Sequence, residues 1–352
     1  MRISTIPQIY RNVNRWGEIL SILSKYGLAG WLSRFESAPG KNLLKNRNGE
    51  ALAKQSREVC IRLALEELGP TFIKLGQIMS TRPDVVGTEL ANELEKLQVN
   101  VPEDDFEQVS TTIVEDLGRP VDELFSEFGE RPVASASIGQ VHRARLHSGE
   151  EVAVKVQHAG IRQRVSVDLD IFMGLAQLAE KIPEFESYRP STMASEFQRA
   201  LRRELDFTRE RRHMEQFTTA FEQDERILIP KVYPELSSER VIVMQWLDGV
   251  SLANPQQIIA LNVDLAEITR AGAEMYLEMI FEHALYHADP HPGNLMLTPD
   301  GRLGLLDFGM VVRIDSGLRE DFEELLLSIV QQEAERVVAV ITRIAAVPLG
   351  FD

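Results

Sequence analysis

The chain has 352 residues, of which 44% are hydrophobic and 26% charged, and its formal net charge is −16. This composition suits a globular protein with packing for two or three domains. The negative charge argues against a nucleic-acid partner, because phosphate backbones would be repelled. Cys60 is the only cysteine, which excludes an internal disulfide and a cysteine-rich zinc site.

The N-terminus lacks the continuous apolar core of a signal peptide. The sequence also has no stretch of about 18 apolar residues that would cross a membrane. A cytoplasmic location is therefore expected, with peripheral membrane contact as an open alternative.

Residues 1–130 are predicted to be mostly helical. Apolar residues recur at spacings of three and four in the first helix, namely Ile9, Val13, Trp16, Leu20 and Leu23. This stripe and the aromatic residues after it, Tyr26, Trp31 and Phe35, are flanked by basic residues. Such a segment can lie on an anionic membrane surface, although packing against the rest of the protein is favoured. Gly69-Pro70 marks the boundary of another helix, and a further helix is expected over 93–97.

The pattern changes near residue 131. Alternating apolar residues over 141–146 and 151–156, joined by His147-Ser148-Gly149-Glu150, predict a β-hairpin. After it the sequence predicts, in order, helix over about 162–220, a buried strand at 241–244, helix from 264 to 283, short strands at 295–297 and 303–306, and helix to the end.

This order predicts the α+β class, in the form of a two-lobed protein-kinase-like fold with an N-terminal helical extension. Residues 1–130 would form the extension. Residues 131–248 would form a sheet-bearing lobe with inserted helices. Residues 249–352 would form a helical lobe that carries the catalytic loop.

The strongest functional signal is the segment His287-Ala288-Asp289-Pro290-His291-Pro292-Gly293-Asn294, followed by Asp307-Phe308-Gly309. It follows the kinase pattern H-R-D-x-x-x-x-N and D-F-G, with Ala288 in place of the arginine. Asp289 would orient or deprotonate the attacking group. Asn294 and Asp307 would hold the Mg²⁺ that bridges the phosphates of ATP.

Val152-Ala153-Val154-Lys155 matches the kinase motif V-A-I-K, so Lys155 is predicted to reach the α and β phosphates. The turn before it takes the place of a glycine-rich loop. The predicted nucleotide contacts there are Ala134, Ser135, Ala136, Ser137, Gly139, Gln140 and Val141. Alanine in place of two glycines restricts the backbone, so this loop should hold nucleotide differently. An ordinary Ser/Ala turn is an equal alternative.

Two further predictions complete the site. Met244 and Trp246 follow a buried strand and would form the hinge that binds adenine, a simple strand end being the alternative. Glu204, Asp206 and Glu210 are candidate carboxylate partners of the lysine, although such residues are also typical of a solvated helix face.

Taken together, these motifs resemble the UbiB family of atypical kinase-like proteins. Lys74-x-Gly76-Gln77 matches the family's K-x-G-Q motif, and Glu204-x-Asp206 matches its E-x-D motif. The resemblance runs from about Leu68 to Gly309 and beyond. It implies that the 74–77 helix folds back over the nucleotide site as a regulatory element, together with Glu204 and Asp206. It also implies that Glu210 pairs with Lys155.

The resemblance further implies an ATP-dependent phosphotransferase or ATPase that uses Mg²⁺, releases ADP and supports biosynthesis of isoprenoid quinones of the ubiquinone type or related lipids. A lipid or quinone precursor would then be a ligand. No A-P-E follows Gly309, and Ala159 stands where the family has proline. The alternatives left open are a protein kinase and a nucleotide-binding pseudokinase scaffold without catalysis.

Overall fold

The computed structural model describes residues 13–28, 55–97, 103–182, 189–261, 263–289 and 291–345. The helices, in chain order, are α1 Val13–Lys25, α2 Arg57–Leu68, α3 Pro70–Ser80, α4 Pro83–Val86, α5 Thr88–Leu94, α6 Phe106–Leu117, α7 Val121–Leu124, α8 Ile161–Ala179, α9 Pro190–Glu204, α10 Phe207–Ala220, α11 Pro255–Ala260, α12 Leu265–Phe281, α13 Ser316–Val330 and α14 Ala334–Ile344. The strands are β1 Phe125–Phe128, β2 Ala134–Ser135, β3 Gly139–Leu146, β4 Glu151–Gln157, β5 Ile227–Leu228, β6 Val241–Gln245, β7 Val250–Ser251, β8 Leu285–His287, β9 Leu295–Leu297, β10 Leu303–Leu305 and β11 Val311–Arg313. Short 3₁₀ turns lie at Pro234–Leu236 and Pro292–Asn294.

The chain forms two units, each with its own internal contacts. The first comprises Met1–Phe207 and Glu235–Val243, and the second comprises Thr208–Pro234 and Met244–Asp352. The predicted α+β class is confirmed, since helices and sheets are both present in long separate runs. The predicted three-part domain division stays a prediction.

A five-stranded sheet has the order β1-β3-β4-β6, with β2 paired to β3, and apart from the last two residues of β6 it belongs to the first unit. The predicted hairpin is confirmed, because β3 and β4 pair antiparallel over their length. Gly149 has a φ of +94° in the connecting turn, a conformation that favours glycine. In this register Val141 lies opposite Lys155, which places the end of the alanine-rich turn beside the lysine.

Helix α1 packs into the first unit through its apolar stripe. Its buried residues join one cluster with side chains of α2, α3 and α8, made up of Trp16, Ile19, Leu20, Ile22, Ala64, Leu68, Phe72 and Ile171. This supports the packing interpretation of the stripe. Tyr26 packs against the same cluster, whereas Ile9, Trp31 and Phe35 lie outside the described residues.

A buried ion pair joins the N-terminal helices to α8. Asp168 is fully buried and accepts hydrogen bonds from Arg15 Nε at 2.6 Å and from Thr71 Oγ1 at 2.7 Å. Arg15 also donates to the carbonyl of Leu68, the last residue of α2. Three helices therefore meet at one carboxylate.

The second unit holds a four-stranded sheet of order β5-β10-β9-β7 and a two-stranded ribbon of β8 and β11. The predicted strands at 295–297 and 303–306 are confirmed as the β9–β10 hairpin, which ends at Leu305. Within the described ranges, no helix combines the length and the apolarity needed to cross a membrane.

The sequence prediction was wrong in several places. Strand β1 was missed: Phe125–Phe128 pairs along β3, inside the segment predicted to be mostly helical. Helix α5 begins at Thr88 and ends at Leu94, so most of 93–97 is not helical. Strands β5, β7, β8 and β11 have two or three residues each, too few for periodicity to indicate.

Candidate active site

The catalytic-loop motif begins at a buried strand. His287 is the last residue of β8 and is 1% exposed. Asp289 lies two residues later, and Asn294 ends the following 3₁₀ turn. Asn294 Nδ2 donates to Asp289 Oδ2 at 2.8 Å, so the two functional side chains of the motif are joined directly. His291 supports the turn, because its Nδ1 accepts from the backbone N–H of Gly293 at 3.0 Å.

Asn294 and Asp307 are brought close by the β9–β10 hairpin. The N–H of Leu306 donates to the carbonyl of Asn294 at 3.0 Å, so Asp307 follows directly after a residue paired with Asn294. Oδ1 of Asp307 accepts from the N–H of Gly309 at 2.8 Å, which fixes the carboxylate. The amide and carboxylate oxygens of these two residues are the hard ligands that Mg²⁺ prefers.

The Asp307-Phe308-Gly309 segment is held by two histidines. His287 Nε2 donates to the carbonyl of Asp307, and His213 Nδ1 donates to the carbonyl of Phe308 at 2.8 Å. The ring of Phe308 is fully buried and lies 5.3 Å from Phe217 and 5.7 Å from His287, between ring centroids. Burial lowers the pKa of His213, an effect that its bond to Phe308 partly offsets, so the neutral ring is favoured.

Glu210 lies on the buried face of α10. Spacings of four and seven residues place it in line with Met214 and Phe217, both fully buried, and Glu210 itself is 4% exposed. A carboxylate in an apolar stripe is rarely left there without a charged or hydrogen-bonded partner. The helix that carries Glu210 is thus fixed, through His213 and Phe217, to the segment that carries Asp307.

Tyr276 is a residue that the sequence did not single out. Its hydroxyl is buried and has no hydrogen-bond partner among the described residues. Burial, together with the charges of Tyr286 and Asp289, raises the pKa of Tyr276 to about 12. A protonated phenol therefore lies near the catalytic loop, and no spacing in the sequence could have indicated it.

In the first unit, Lys155 is half-buried on β4. Its Nζ lies 5.1 Å from the centroid of the Phe207 ring, at the start of α10. This cation–π contact orients the side chain.

The alanine-rich turn is tightly closed. Ala134 and Ser135 pair with Val141 and Gln140, and the N–H of Ala136 donates to the carbonyl of Gly139 at 2.8 Å. The hydroxyl of Ser135 is buried without a partner among the described residues, and Ser137 is 9% exposed.

Gln140 uses its side chain elsewhere. It is fully buried, accepts from the N–H of Asp104 at 2.8 Å, donates to the carbonyl of Asp104 at 3.1 Å, and contacts His142. Any contact between Gln140 and a nucleotide would therefore have to come from its backbone.

The K-x-G-Q and E-x-D motifs meet within the first unit. Lys74 Nζ on α3 donates to Glu204 Oε1 at 2.7 Å, and both side chains are mostly buried. Gly76 has a packing role, because a Cβ there would lie 2.3 Å from Leu97 Cδ1. Gln77 is half-buried on the same helix, and its carbonyl accepts from Ser80.

Asp206 lines a cavity of about 260 Å³ in the first unit. Arg162, Arg202 and Glu239 line the same cavity. Asp206 follows directly after the residue that caps α9.

The predicted hinge lies where the chain passes from the first unit to the second, between Val243 and Met244. Met244 is buried and forms a bridge with Val232. Trp246 is half-buried, and its Nε1 donates to Asp248 at 2.9 Å.

The first unit thus carries Lys155, the alanine-rich turn and the K-x-G-Q helix, and the second carries Asp289, Asn294, Asp307 and all of α10 after Phe207. That both sets act on one nucleotide stays a prediction. Among the described residues there is no group of three or more His, Cys, Asp or Glu side chains that could hold a metal ion.

Comparison with known proteins gives consistent matches. Residues 96–341 match the ABC1 atypical kinase-like domain. The chain is 38% identical to the uncharacterized protein slr1919 of Synechocystis sp. over 80% of this chain and 50% of the relative. It is 33% identical to the chloroplastic protein ACTIVITY OF BC1 COMPLEX KINASE 8 of Arabidopsis thaliana over 99% of this chain and 46% of the relative. The chain thus spans about half the length of these curated relatives.

Among solved structures, the chain resembles Rv3197 of Mycobacterium tuberculosis, which was determined in complex with erythromycin. The TM-score is 0.59 and the identity 28%, with coverage of 82% of this chain and 73% of Rv3197.

Proposed function

We propose that this chain, which belongs to the ABC1 atypical kinase-like family, binds Mg-ATP and catalyses phosphoryl transfer or ATP hydrolysis. Membership confirms the resemblance to UbiB proteins and the α+β kinase-like fold. The observation that carries the proposal is that hydrogen bonds connect the catalytic-loop motif with the D-F-G segment in the second unit. Asp289 is bonded to Asn294, and the β9–β10 hairpin brings Asn294 next to the residue before Asp307.

The proposed roles follow from side-chain chemistry. Asp289 orients or deprotonates the attacking hydroxyl or water, and its bond to Asn294 fixes its carboxylate. Lys155 supplies a cation to the α and β phosphates, with Glu210 as its proposed carboxylate partner. The turn 134–141 covers the phosphates, and Met244 and Trp246 flank the adenine site.

Asn294 and Asp307 fit a magnesium ion, because both offer oxygen atoms and both are fixed by hydrogen bonds. Magnesium in such sites is bound by one or two protein groups together with substrate phosphates, where it neutralises developing charge. The two residues hold their positions through the strand pairing and the turn at Gly309.

The segment after Gly309 favours a small acceptor or water over a peptide. Asp315 caps α13 by accepting from the N–H of Leu318 at 2.9 Å, so only 310–315 separate Gly309 from the helix. Three of those residues form β11 with β8. Little chain remains to form a peptide-docking surface, and for this reason we do not favour a protein kinase.

The pathway is proposed from family membership. The sequence motifs resemble a family that supports quinone and related lipid biosynthesis, so a quinone precursor or lipid is the proposed acceptor or effector, with peripheral membrane contact. The erythromycin complex of Rv3197 is a reason to test bulky small molecules as ligands as well.

The test is Mg²⁺-dependent release of ADP from ATP, measured alone, with phospholipid vesicles and with a phenolic quinone precursor. We expect turnover in the wild type. Asp307→Asn and Lys155→Ala should each lower it by about 10²–10³-fold, the usual effect of losing a charge that stabilises the transition state. Asp300→Asn is the matched control, because Asp300 lies in the exposed turn of the same β9–β10 hairpin.

Wild-type turnover no higher than that of Asp307→Asn under every condition would reject catalysis. In that case, thermal stabilisation by Mg-ADP would identify a nucleotide-binding scaffold, since a ligand that binds only the folded state raises its stability.

A further inference from the structure

One histidine outside the predicted site binds two carbonyl groups of the alanine-rich turn. The backbone N–H of His158 donates to the carbonyl of Ile138 at 2.9 Å. Its ring Nε2 lies 3.0 Å from the carbonyl of Ala136, which can only accept, so Nε2 carries the proton and donates. His158 is 6% exposed.

Asp104 fixes this histidine. Its Oδ2 accepts from the N–H of Ala159 at 2.7 Å and lies 3.2 Å from Nδ1 of His158. The carboxylate thus holds the backbone directly after His158, and the imidazole ring lies against it.

Asp104 is in turn anchored to the sheet. Gln140, at the start of β3, binds both the N–H and the carbonyl of Asp104 through its side-chain amide. The connections form a closed circuit from the turn to His158, then to Asp104, then to Gln140, and back to the turn. His158 and Gln140 are buried and Asp104 is half-buried, so these hydrogen bonds are partly shielded from water, which strengthens them.

The alanine residues of the turn add to the effect of these hydrogen bonds, because they restrict its backbone. A glycine-rich phosphate loop is flexible and can be ordered by its ligand, whereas alanine allows fewer backbone conformations. The hydroxyl of Ser135, within the same turn, is buried and unused by any described residue. Groups outside the turn therefore fix its backbone conformation before any ligand binds, and the hydroxyl of Ser135 stays available within it.

We propose that His158 and Asp104 are positioning residues that hold the alanine-rich turn, including Ser135, in the conformation that binds nucleotide phosphates. This inference rests on the proposed function, because it takes the turn to contact nucleotide. It gives His158, the residue directly after β4, a role in nucleotide affinity and none in the chemical step.

The test compares His158→Ala, His158→Asn, Asp104→Asn and the control His147→Ala in the full chain. His147 is an exposed histidine in the β3–β4 turn. The measurements are the Kd of Mg-ADP, KM and kcat for ATP, and hydrogen exchange over 134–141. For His158→Ala we expect Kd and KM to rise about 10-fold, the effect of one lost hydrogen bond to a binding loop, with kcat changed less than about 2-fold.

Asparagine can donate to the carbonyl of Ala136, so His158→Asn should restore most of the affinity. If His158→Ala does not fold, Asp104→Asn takes its place in the test. This variant keeps an oxygen that accepts from the N–H of Ala159, so we expect its Kd to rise by less than the roughly 10-fold expected for His158→Ala. Unchanged Kd and KM in His158→Ala, or an equal loss of kcat, would overturn the proposal.

Hydrogen exchange separates this inference from the proposed function. Faster exchange over 134–141 in His158→Ala than in His147→Ala supports the positioning role, and equal exchange overturns it. A wild type that binds no Mg-ADP would instead refute the proposed function, with the exchange result still reporting on the turn.

Discussion

At the scale of single residues, Gly139 lies so close to the neighbouring strand that no side chain fits there. A Cβ would lie 2.4 Å from the carbonyl oxygen of Val156, and this oxygen belongs to a backbone that cannot move aside. Its φ is outside the left-handed region. The glycine that survives in the turn is therefore required for strand packing, whatever it contributes to nucleotide binding.

Gly139→Ala should lower the free energy of unfolding by about 1–3 kcal/mol, as overpacking does. Urea denaturation would measure it. Gly17→Ala is the control, because a Cβ at Gly17 meets nothing within 4 Å in helix α1. It should be neutral or stabilise by about 0.5–1 kcal/mol, since alanine favours helix. Equal effects of the two changes would show that Gly139 is not tightly packed.

The sequence indicated residues with fixed motif spacing, and it could not indicate residues that act through distant contacts. The bond between Asp289 and Asn294 lies within one motif. Asp104 and His158 are 54 positions apart, and no local pattern relates them. Tyr276 is missed for the same reason.

At the scale of elements, α3 is attached to its own unit at two points. Thr71, in its first turn, binds Asp168 of α8, and Lys74, one turn later, binds Glu204 of α9. The proposed regulatory helix is thus tied to two helices, and the buried carboxylate of Asp168 also holds Arg15 of α1.

Asp168→Ala should destabilise the protein by about 3 kcal/mol, because it leaves the largely buried guanidinium of Arg15 without its buried carboxylate and with only the half-exposed Glu18 as a charged partner. Asp170→Ala removes the same charge from the same helix and should cost less than about 0.5 kcal/mol. Thermal or urea unfolding would compare the two. A similar loss for both variants would mean that the effect comes from helix α8 and not from the ion pair.

Elements long enough to show periodicity were predicted, and the shortest were not. The β3–β4 hairpin and helix α12 follow clear alternating or helical patterns. Strand β1 lies in a segment predicted to be mostly helical, and it was missed because four residues that gain stability only from pairing with β3 carry no local signal. Whether such a short segment forms a strand depends on pairing with residues distant in the sequence, which local patterns do not reveal.

At the scale of the whole molecule, buried neutral histidines link stability to pH. His142 is fully buried; its Nδ1 donates to the carbonyl of Gly129, and its Nε2 accepts from the amide of Gln140. Both bonds fit the neutral ring. Burial lowers the pKa of His142, and also that of His213, although hydrogen bonds to backbone carbonyls partly oppose this.

Since these folded-state pKa values lie below the unfolded value of about 6.5, the unfolded chain binds more protons at mildly acid pH. The stability from the neutral rings is fully present above that pH and is lost as the pH falls toward the lowered values. The free energy of unfolding should therefore decrease between about pH 7 and pH 5.5, by at most about 1.4 kcal/mol per pH unit for each histidine.

Urea denaturation across this range would measure the slope. His142→Gln should reduce it, and His147→Gln, at an exposed position, should not. A slope that stays the same in His142→Gln would contradict the assignment of this buried ring as a neutral group.

The two carbonyl bonds that hold Asp307 and Phe308 have a consequence for inhibitor design. In protein kinases the packing of this phenylalanine sets the active and inactive forms, so a compound that binds the inactive form needs the ring to leave its position. Here that movement would break the bonds from His287 and His213 and remove a fully buried ring from between Phe217 and His287. Compounds of that type should therefore bind this chain poorly.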